Sequence, residues 1–484
     1  MPTRIRIDDK DADMTSHLSL EAAPFLGEPL ESSPHRPWAP VEAQAGGAPF
    51  TGPGGFSALA GHHWHDAVWM RQRRRDDPLV DPLSIYRLDP QAWRHDERGQ
   101  PLGWSELASE LVPYVADLGF THVEVKGVSD TDAGVAFARF VDACHVGGIG
   151  VIIEWPTAVQ AGTLEEDAAL HLALAWLEHF HIDGLRLNPM PPYAGGDGAA
   201  LARLMDALVA HSPDVLLFAD EHSAETAPTT ARILALNTHW SHATQAYLSE
   251  PPEARGQHHH RLVEGLASAF ESHFVLPLID ERSDDGEATW LARMAGDTWQ
   301  RFANLRAGLG FMWAHPGKKL VGMGTEFAHG QGWRQAGELD WSLLDDPCHA
   351  GMLRLVADLN RIYGNEPALH HFDCHPEGFA WVVGDDSANS VIAFLRYGPE
   401  GTAPLLAISN FTPNVLHGYR LGVPALGTWY EILNTDSIYY GGSNVGNAQG
   451  VRALLAPSHG YPASLELTLP PLATLLLRQG DWPA

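Results

Sequence analysis

Eight short apolar segments, most of them separated by amphipathic stretches, constrain the fold of this chain more than any other feature. Parallel strands need a long crossover connection, usually a helix, so alternating strands and helices predict a parallel sheet. Eight such units favour a closed (β/α)8 barrel over an open doubly wound sheet. The segments are SIYRL (84–88), HVEVKGV (122–128), GVIIEWP (150–156), IDGLRLN (182–188), VLLFADE (215–221), LNTHW (236–240), HFVLPLID (273–280) and KKLVGMGTEF (318–327).

The pattern differs at the two ends of the chain. Residues 1–61 are rich in Pro, Gly, Ala and acidic side chains without sustained periodicity, which predicts a poorly ordered arm. Residues 62–366 hold the predicted barrel. Residues 367–484 contain FAWVVGD, SVIAFLRY, PLLAISNF and GTWYEILN, punctuated by Gly, Pro and Asn, which predicts a C-terminal antiparallel β-sandwich. The predicted fold class is therefore α/β, a TIM barrel followed by an all-β domain.

Composition narrows the range of ligands. The formal net charge of −29 argues against nucleic acid and anionic membrane surfaces as partners, and leaves neutral ligands such as sugars. Cys144, Cys348 and Cys374 lie far apart, so we expect no zinc site and no disulfide framework. No cofactor is expected. No segment resembles a signal peptide or a membrane span, and we expect the protein in the cytoplasm.

Acidic residues follow several of the predicted strands. In a parallel barrel the active site lies at the carboxyl ends of the strands. Several carboxylates at one rim suggest sugar chemistry, in which one protonates a leaving oxygen and another attacks the anomeric carbon. Taken singly, a carboxylate at the end of a strand is more often a solvated loop residue or half of an ion pair. The strand-end residues are Glu154, Asn188, Asp220, Glu221, Asp280 and Glu281.

From about Gly61 onward the chain resembles the bacterial glycogen (1,4-α-glucan) branching enzymes of the α-amylase superfamily, glycoside hydrolase family 13. The resemblance implies a catalytic barrel and an all-β C-terminal domain. The family's amino-terminal carbohydrate-binding module has no counterpart among the residues before the barrel. The matching segments include SIYRLDPQAWR, ELVPYVADLGFTHVEV, WLEHFHIDGLRL, RFANLRAGLGFMWAHPGKKLVGMGTEFA, LDWSLLDDPCHAGMLRLVADLNRIY and LNTDSIYYGGS.

Two strand-end motifs depart from the family pattern at the positions that hold sugar. The family's strand 3 motif resembles DWVPAH; here it begins at Glu154 and ends at Val159, so a substrate-contacting His is replaced. Strand 4 ends DGLRVD in the family, whose last Asp is the nucleophile. This chain keeps Arg186 but has Asn188, and an amide cannot attack as a carboxylate does.

The remaining two motifs depart as well. The family's AEES, whose first Glu is the general acid/base, aligns with Asp220 at that position and Glu221 after it, so the acid is one methylene shorter. In an alignment with the family's FVLPLSHDE, Asp280 stands at the position of the His, and Glu281 stands at the position of the Asp that stabilises the transition state. The resemblance thus implies catalytic positions Asn188, Asp220 and Glu281, with Glu154, Arg186, Glu221 and Asp280 as substrate-binding positions.

Loss of a nucleophile costs on the order of 10⁶-fold in rate, and the loops after strands 2 and 3 are too short for an extended donor cleft. We therefore expect a pseudoenzyme that binds α-glucan, glycogen or a maltooligosaccharide, or that assists a partner enzyme of glycogen or trehalose metabolism. One alternative is an active branching enzyme or α-glucan hydrolase with a rearranged carboxylate site. A second is a structural subunit without ligand.

Other conspicuous residues have simpler interpretations. The histidine clusters 62–65, 258–260 and 370–371 are expected at the surface, without metal. The run Arg71–Arg75 is expected to form a solvated helix face with local ion pairs. Arg186 either holds a ligand carboxylate or pairs with Asp220 or Glu281. Core packing is expected for Trp155, Trp240 and Trp313.

Overall fold

The computed structural model describes residues 59, 62–128, 134–154, 166–187, 198–220, 233–266, 270, 273–279, 289–330, 337–447 and 450–480. For residues 166–167, 198–202 and 220 the backbone alone is described. All described residues belong to one compact unit, Phe50–Ala484. Because barrel and β-domain share that unit, the boundaries at 61/62 and 366/367 stay predictions.

Eight parallel strands close into a barrel in sequence order, with the first strand pairing the last. This confirms the predicted TIM barrel. The strands are β1 (Ser84–Leu88), β2 (His122–Val125), β3 (Gly150–Glu154), β4 (Gly184–Leu187), β5 (Leu216–Asp220), β6 (Ile233–Leu236), β7 (His273–Leu278) and β8 (Lys318–Gly322).

One predicted strand is wrong. The sixth was placed at residues 236–240, but β6 spans Ile233–Leu236 and a helix begins at Thr238. Asn237 ends the strand and caps the helix, because its side chain accepts a hydrogen bond from the Trp240 amide.

Helices cover the outside of the barrel. The described helices are α1 (Ala67–Arg73), α2 (Trp104–Asp117), α3 (Val135–Val146), α4 (Glu166–His179), α5 (Gly198–His211), α6 (Thr238–Ser249), α7 (Arg261–Glu264), α8 (Trp290–Arg293), α9 (Thr298–Ala314) and α10 (Pro347–Asn365).

The barrel interior is filled with apolar side chains at alternate strand positions. Ile85, Ile152, Phe218, Leu234 and Leu320 belong to one buried cluster inside the barrel. Their neighbours along the strands, such as those of β2, pack outward against the helices in a second and larger cluster. This period-2 partition explains why the strand segments read as continuous apolar runs: both faces are buried.

The C-terminal region is antiparallel, as predicted. Its sheets pack around a shared apolar cluster that includes Val391, Leu406, Leu465 and Trp429. A six-stranded sheet has the order β14-β13-β16-β11-β10-β9, and β12 pairs with β15 in a second sheet. The strands are β9 (Phe379–Asp386), β10 (Val391–Arg396), β11 (Leu405–Asn410), β12 (Leu416–Val423), β13 (Thr428–Asn434), β14 (Val451–Arg452), β15 (Ala463–Leu469) and β16 (Ala473–Gln479).

Helix α9 joins the barrel to the β-domain. It is buried on all sides from Phe302 to Ala314, and the buried residues include the polar Asn304 and Arg306. The Thr474 hydroxyl on β16 donates to the Ala307 carbonyl at 2.9 Å. A Cβ at Gly310 would lie 2.8 Å from Thr474, so the close approach of helix and sheet requires glycine there. In the described part of the chain, none of the helices is long and apolar enough to cross a bilayer.

Candidate functional site at the barrel mouth

Charged side chains occupy the carboxyl ends of the first four strands. Glu154 is the last residue of β3, and strand register places it beside Arg186 on β4. Arg87 on β1 is in register with Glu124 on β2. Arg87 and Glu154 each lie two residues beyond an apolar interior side chain, Ile85 and Ile152, so on these two strands a charged layer follows an apolar one.

Ion pairs join these four side chains into a continuous chain. Arg87 donates from Nη2 to Glu154 Oε1 at 2.5 Å, and its Nε lies 3.3 Å from Glu124 Oε1. Arg186 donates from Nη1 to the same Glu124 oxygen at 2.7 Å. Glu124 and Arg186 are fully buried, whereas Arg87 and Glu154 retain a small exposed fraction. The order is Glu154, Arg87, Glu124, Arg186, and we call it the mouth chain.

The mouth chain limits the chemistry of its members. Two guanidinium groups and two carboxylates cancel in formal charge. Each guanidinium group donates to a carboxylate on another strand, so these donors and acceptors are occupied within the barrel. Within the described residues Glu124 Oε2 has no hydrogen-bond partner, so the mouth chain leaves one buried acceptor atom unsatisfied.

The structure brings together two of the seven predicted site residues, Glu154 and Arg186. Asp220 is the last residue of β5, and its side chain is outside the description. The other four fall outside the described residues and stay predictions: Asn188, Glu221, Asp280 and Glu281.

Sequence reasoning missed two members of the mouth chain. Arg87 and Glu124 are charged residues inside the apolar segments SIYRL and HVEV, and that interruption was the available signal. The sequence left open whether Arg186 holds a ligand carboxylate or pairs with Asp220 or Glu281. The described partner is Glu124, which comes from a strand two positions away around the barrel.

A second charged cluster lies at the opposite, amino-terminal end of the barrel strands. Asp183 directly precedes β4 and accepts from the Val151 amide at 2.6 Å. Its carboxylate also lies 3.0 Å from His145 Nε2 and accepts from Arg73 Nη1 at 3.1 Å. His145 Nδ1 in turn lies 3.0 Å from Asp66. The cluster is buried beneath the barrel, far from the rim where sugar chemistry would occur.

These contacts shift the pKa values of several groups in the cluster. Burial acts to lower the pKa of His145, but the Asp183 charge, together with hydrogen bonds to Asp183 and Asp66, outweighs it and raises that pKa to about 9. Burial acts to raise the pKa of Asp183, but His145 and Arg73 hold it well below its usual range. Burial also lowers the pKa of His122, at the start of β2, to about 4. The cluster therefore carries paired charges at neutral pH, as in a structural ion-pair network.

The same cluster corrects the prediction for the arginine run. Arg73 was expected on a solvated face, but its side chain is largely buried and bridges Asp183 and Asp214, with 2.7 Å from Nε to Asp214 Oδ2. Its place in the run concealed this, because neighbouring Arg74 and Arg75 are exposed.

The expectation of surface histidines is also wrong at two positions. His259 and His370 are buried, and His370 Nδ1 lies 2.8 Å from the Val80 carbonyl oxygen. Within the described ranges no three His, Cys, Asp or Glu side chains form a group that could hold a metal ion. Trp240 and Trp313 are core residues, as predicted, and Trp155 lies outside the described residues.

A buried carboxyl group follows the last barrel strand. Glu326 accepts hydrogen bonds at Oε1 from the hydroxyls of Tyr86 at 2.9 Å and Tyr114 at 2.8 Å. Burial raises its pKa to about 7, against the opposing effect of these hydrogen bonds. Tyr86 points outward from β1 toward α2, so this carboxyl group lies behind the barrel wall and outside the mouth chain.

Curated proteins of similar sequence decide the family. The 1,4-α-glucan branching enzyme GlgB of Cupriavidus necator is 41% identical over 500 residues, covering 86% of this chain and 66% of its own. A GlgB of Xanthomonas campestris pv. campestris is 40% identical, covering 86% and 68%. That of Pseudomonas putida is 39% identical, covering 88% and 70%. This chain belongs to the 1,4-α-glucan branching enzyme family.

Two further comparisons agree with the fold of this branching enzyme family member. Residues 381–480 match the family described as alpha amylase, C-terminal all-beta domain. A solved pullulanase variant from Paenibacillus barengoltzii, complexed with maltotriose, superposes with a TM-score of 0.62 at 15% identity and covers 84% of this chain and 80% of its own. The chain spans about two thirds of the length of its curated relatives.

Proposed function

We propose that this branching enzyme family member is a pseudoenzyme that binds α-glucan without transferring it. The observation that carries the proposal is the mouth chain, in which Glu154 and Arg186 contact Arg87 and Glu124 rather than standing free toward a ligand. In the family such strand-end side chains hold sugar, and here two of them are engaged in ion pairs within the barrel.

The sequence at the catalytic positions supports the same proposal. The residue that follows β4 is Asn188, where the family has its nucleophilic Asp. Asp220 and Glu281 stand in place of a Glu acid/base and an Asp stabiliser, and Glu221 and Asp280 flank them. A retaining mechanism needs two carboxyl groups about 5–5.5 Å apart, and an amide at one position removes the covalent step.

The ligand class follows from the relatives' names. Because they are called 1,4-α-glucan branching enzymes and the structural neighbour was solved with maltotriose, we propose glycogen or a maltooligosaccharide as the ligand. An enzyme of glycogen or trehalose metabolism is the proposed protein partner. The three free cysteines support a reducing, cytoplasmic location.

An active α-glucan transferase or hydrolase is the second candidate. It is favoured by the carboxylates Glu221 and Glu281, which could serve an inverting mechanism in which one activates water. A structural subunit without ligand is the third.

Two assays separate the three candidates. Purified protein is incubated with amylose and followed by iodine staining and reducing-end release, beside a Glu221→Gln/Glu281→Gln double variant. We expect no turnover from either protein. Turnover by the wild type that disappears in the double variant would establish the enzyme.

Binding is measured by electrophoresis in gels containing glycogen. We expect the wild type to be retarded in proportion to glycogen concentration, and a gel without polysaccharide gives the reference mobility. Equal mobility in both gels would leave the structural subunit as the remaining candidate and refute glucan binding.

A further inference from the structure

The loop that follows β13 exposes two consecutive apolar side chains to solvent. Ile438 is 66% exposed and Tyr439 is 73% exposed, whereas the next residue, Tyr440, is buried. Single exposed apolar residues are common on protein surfaces, so exposure alone indicates no function. This pair differs because the loop that carries it is held firmly, so that both side chains are presented at a fixed place.

Contacts with helix α10 hold the backbone of the exposed pair. The Tyr440 hydroxyl donates to the Asp358 carboxylate at 2.5 Å, and Arg354 Nη1 donates to the Tyr439 carbonyl at 2.5 Å. The loop also packs closely on the helix, because a Cβ at Gly351 would lie 2.7 Å from the Tyr440 carbonyl oxygen. The exposed pair therefore keeps a fixed position beside α10.

A buried carboxylate holds the same loop from within. Asp436 is 1% exposed, and its side chain accepts hydrogen bonds from the Ser443 amide and hydroxyl and from the Val445 amide, at 2.6–3.1 Å. The Asp436 carbonyl accepts from the Asn444 amide at 2.7 Å. A ligand that meets a loop ordered in this way does not have to order it, so less free energy is lost on binding.

Two exposed polar side chains, Asn444 and Arg354, flank the pair and retain hydrogen-bond donors. Asn444 Oδ1 accepts from the Ile438 amide at 3.3 Å, and its Nδ2 donates to no acceptor among the described residues. Arg354 uses Nη1 for the Tyr439 carbonyl, and its Nε and Nη2 donate to no acceptor in the described part of the chain. Each side chain is thus positioned by one contact with the pair and keeps further donors for a ligand.

This combination of groups suits a neutral sugar chain. A pyranose ring has an apolar face of C–H groups that stacks on an exposed aromatic ring, and its hydroxyl oxygens accept hydrogen bonds at the ring's edge. The net charge of −29 opposes a polyanion. A purely apolar protein face would bury the donors of Arg354 and Asn444 without acceptors, which is unfavourable.

We propose that Ile438, Tyr439, Arg354 and Asn444 form a surface binding site for a linear α-glucan chain, which we call the β-domain platform. A glucose ring stacks on Tyr439 and lies against Ile438, and its hydroxyls accept hydrogen bonds from Arg354 and Asn444. The inference rests on the proposed glucan binding and gives it a location. It places the ligand outside the barrel mouth, where the mouth chain already occupies the charged side chains that compose it.

The test measures retardation in gels of increasing glycogen concentration for the wild type and three variants. Tyr439→Ala should raise the dissociation constant about tenfold, because truncating an aromatic anchor at a binding surface costs affinity of that order. Tyr439→Trp keeps an aromatic ring and should bind as the wild type does. Leu455→Ala should also bind normally, because Leu455 is 79% exposed but follows β14, whose pairing places it at the opposite end of β13.

The outcomes separate this site from glucan binding as such. If the wild type is retarded and Tyr439→Ala is retarded equally, glucan binds elsewhere, the platform is overturned, and the exposed pair is left for a protein partner. If the wild type is not retarded, the platform and the proposed function both fail. Equal loss of binding in Leu455→Ala would also overturn the site. Since Tyr439 is exposed, its substitution should change Tm by at most about 2 °C.

Discussion

At the residue scale, Arg186 makes a contact within the barrel that its sequence motif does not specify. The side chain is buried at the end of β4, and the carboxylate that it contacts belongs to β2. A buried charge needs a partner, and Glu124 supplies one within the barrel. The retained Arg therefore stabilises the barrel mouth, whatever the ligand.

Replacing Arg186 tests this role. Arg186→Met leaves Glu124 buried with only the longer contact to Arg87, so the free energy of unfolding should fall by about 3–5 kcal/mol. Adding Glu124→Gln should recover part of the loss, because the stranded charge is removed. Urea unfolding of the three proteins gives the coupling free energy.

An exposed pair provides the control. Arg420 and Glu466 form an ion pair in which both side chains are about half exposed, so Arg420→Met should cost at most about 1 kcal/mol. Additive effects of Arg186→Met and Glu124→Gln would show that the mouth chain is not energetically coupled.

Helix α1 illustrates the scale of a single element. None of its seven residues is fully buried, yet polar contacts hold it beneath the barrel. Trp69 donates to Asp183 at 2.8 Å and stacks on His145. Arg73 binds Asp183 and Asp214, and Asp66 at the start of the helix contacts His145. The attachment of the helix therefore depends on charge states, and so on pH.

His145 makes that dependence measurable. Its pKa rises from 6.5 unfolded to about 9 folded, so its stabilisation is complete below pH 6.5, declines as pH rises, and is gone above pH 9. The shift corresponds to a contribution on the order of 3 kcal/mol. Asp183, whose pKa is lowered, contributes above its ordinary pKa and loses its contribution in acid. Asp66, Asp214, Arg73 and His122 face the same cluster.

The measurement is urea unfolding at pH 6, 7.5 and 9. The wild type should lose stability across this interval relative to His145→Gln, whose curve should be flatter. His417→Gln, at an exposed position on β12, should keep the wild-type profile. Parallel profiles for wild type and His145→Gln would contradict the assignment.

At the scale of the whole molecule, α9 decides how barrel and β-domain fit. Two glycines on this helix meet different surroundings. A Cβ at Gly310 would lie 2.8 Å from the Thr474 Cβ and from the Thr435 Cγ2, whereas one at Gly308 would meet the terminal methyl of Leu248. Branched threonines cannot move aside as the end of a leucine can.

The matched pair Gly310→Ala and Gly308→Ala tests this fit. Both changes raise helix propensity equally, by up to about 1 kcal/mol. Gly310→Ala should nevertheless destabilise by about 1–3 kcal/mol through overpacking, and Gly308→Ala should be near neutral. Thermal unfolding measures both, and equal Tm values would show that the junction tolerates a methyl group.

The local sequence determined the elements of this protein. Alternating apolar runs and amphipathic stretches specify strands and helices, because backbone geometry sets how often side chains return to the same face of an element. Seven of the eight barrel strands overlap their predicted segments closely. The sixth was misplaced because the strand is formed by the preceding apolar run Ile233–Leu236, and Asn237 caps a helix that begins at Thr238. The sequence also places Asn188 directly after β4, where the family has its nucleophilic Asp, and that assignment stays a prediction.

Only the tertiary structure decided which charges meet. Arg87, Glu124, Glu154 and Arg186 come from four strands, and closure of the barrel brings them into contact. Arg73, His145 and Asp183 meet in the same way at the other end. The sequence marks Arg87 and Glu124 as charges that interrupt apolar segments, but it does not say which charges pair, because the fold decides which side chains leave water and which partners they meet.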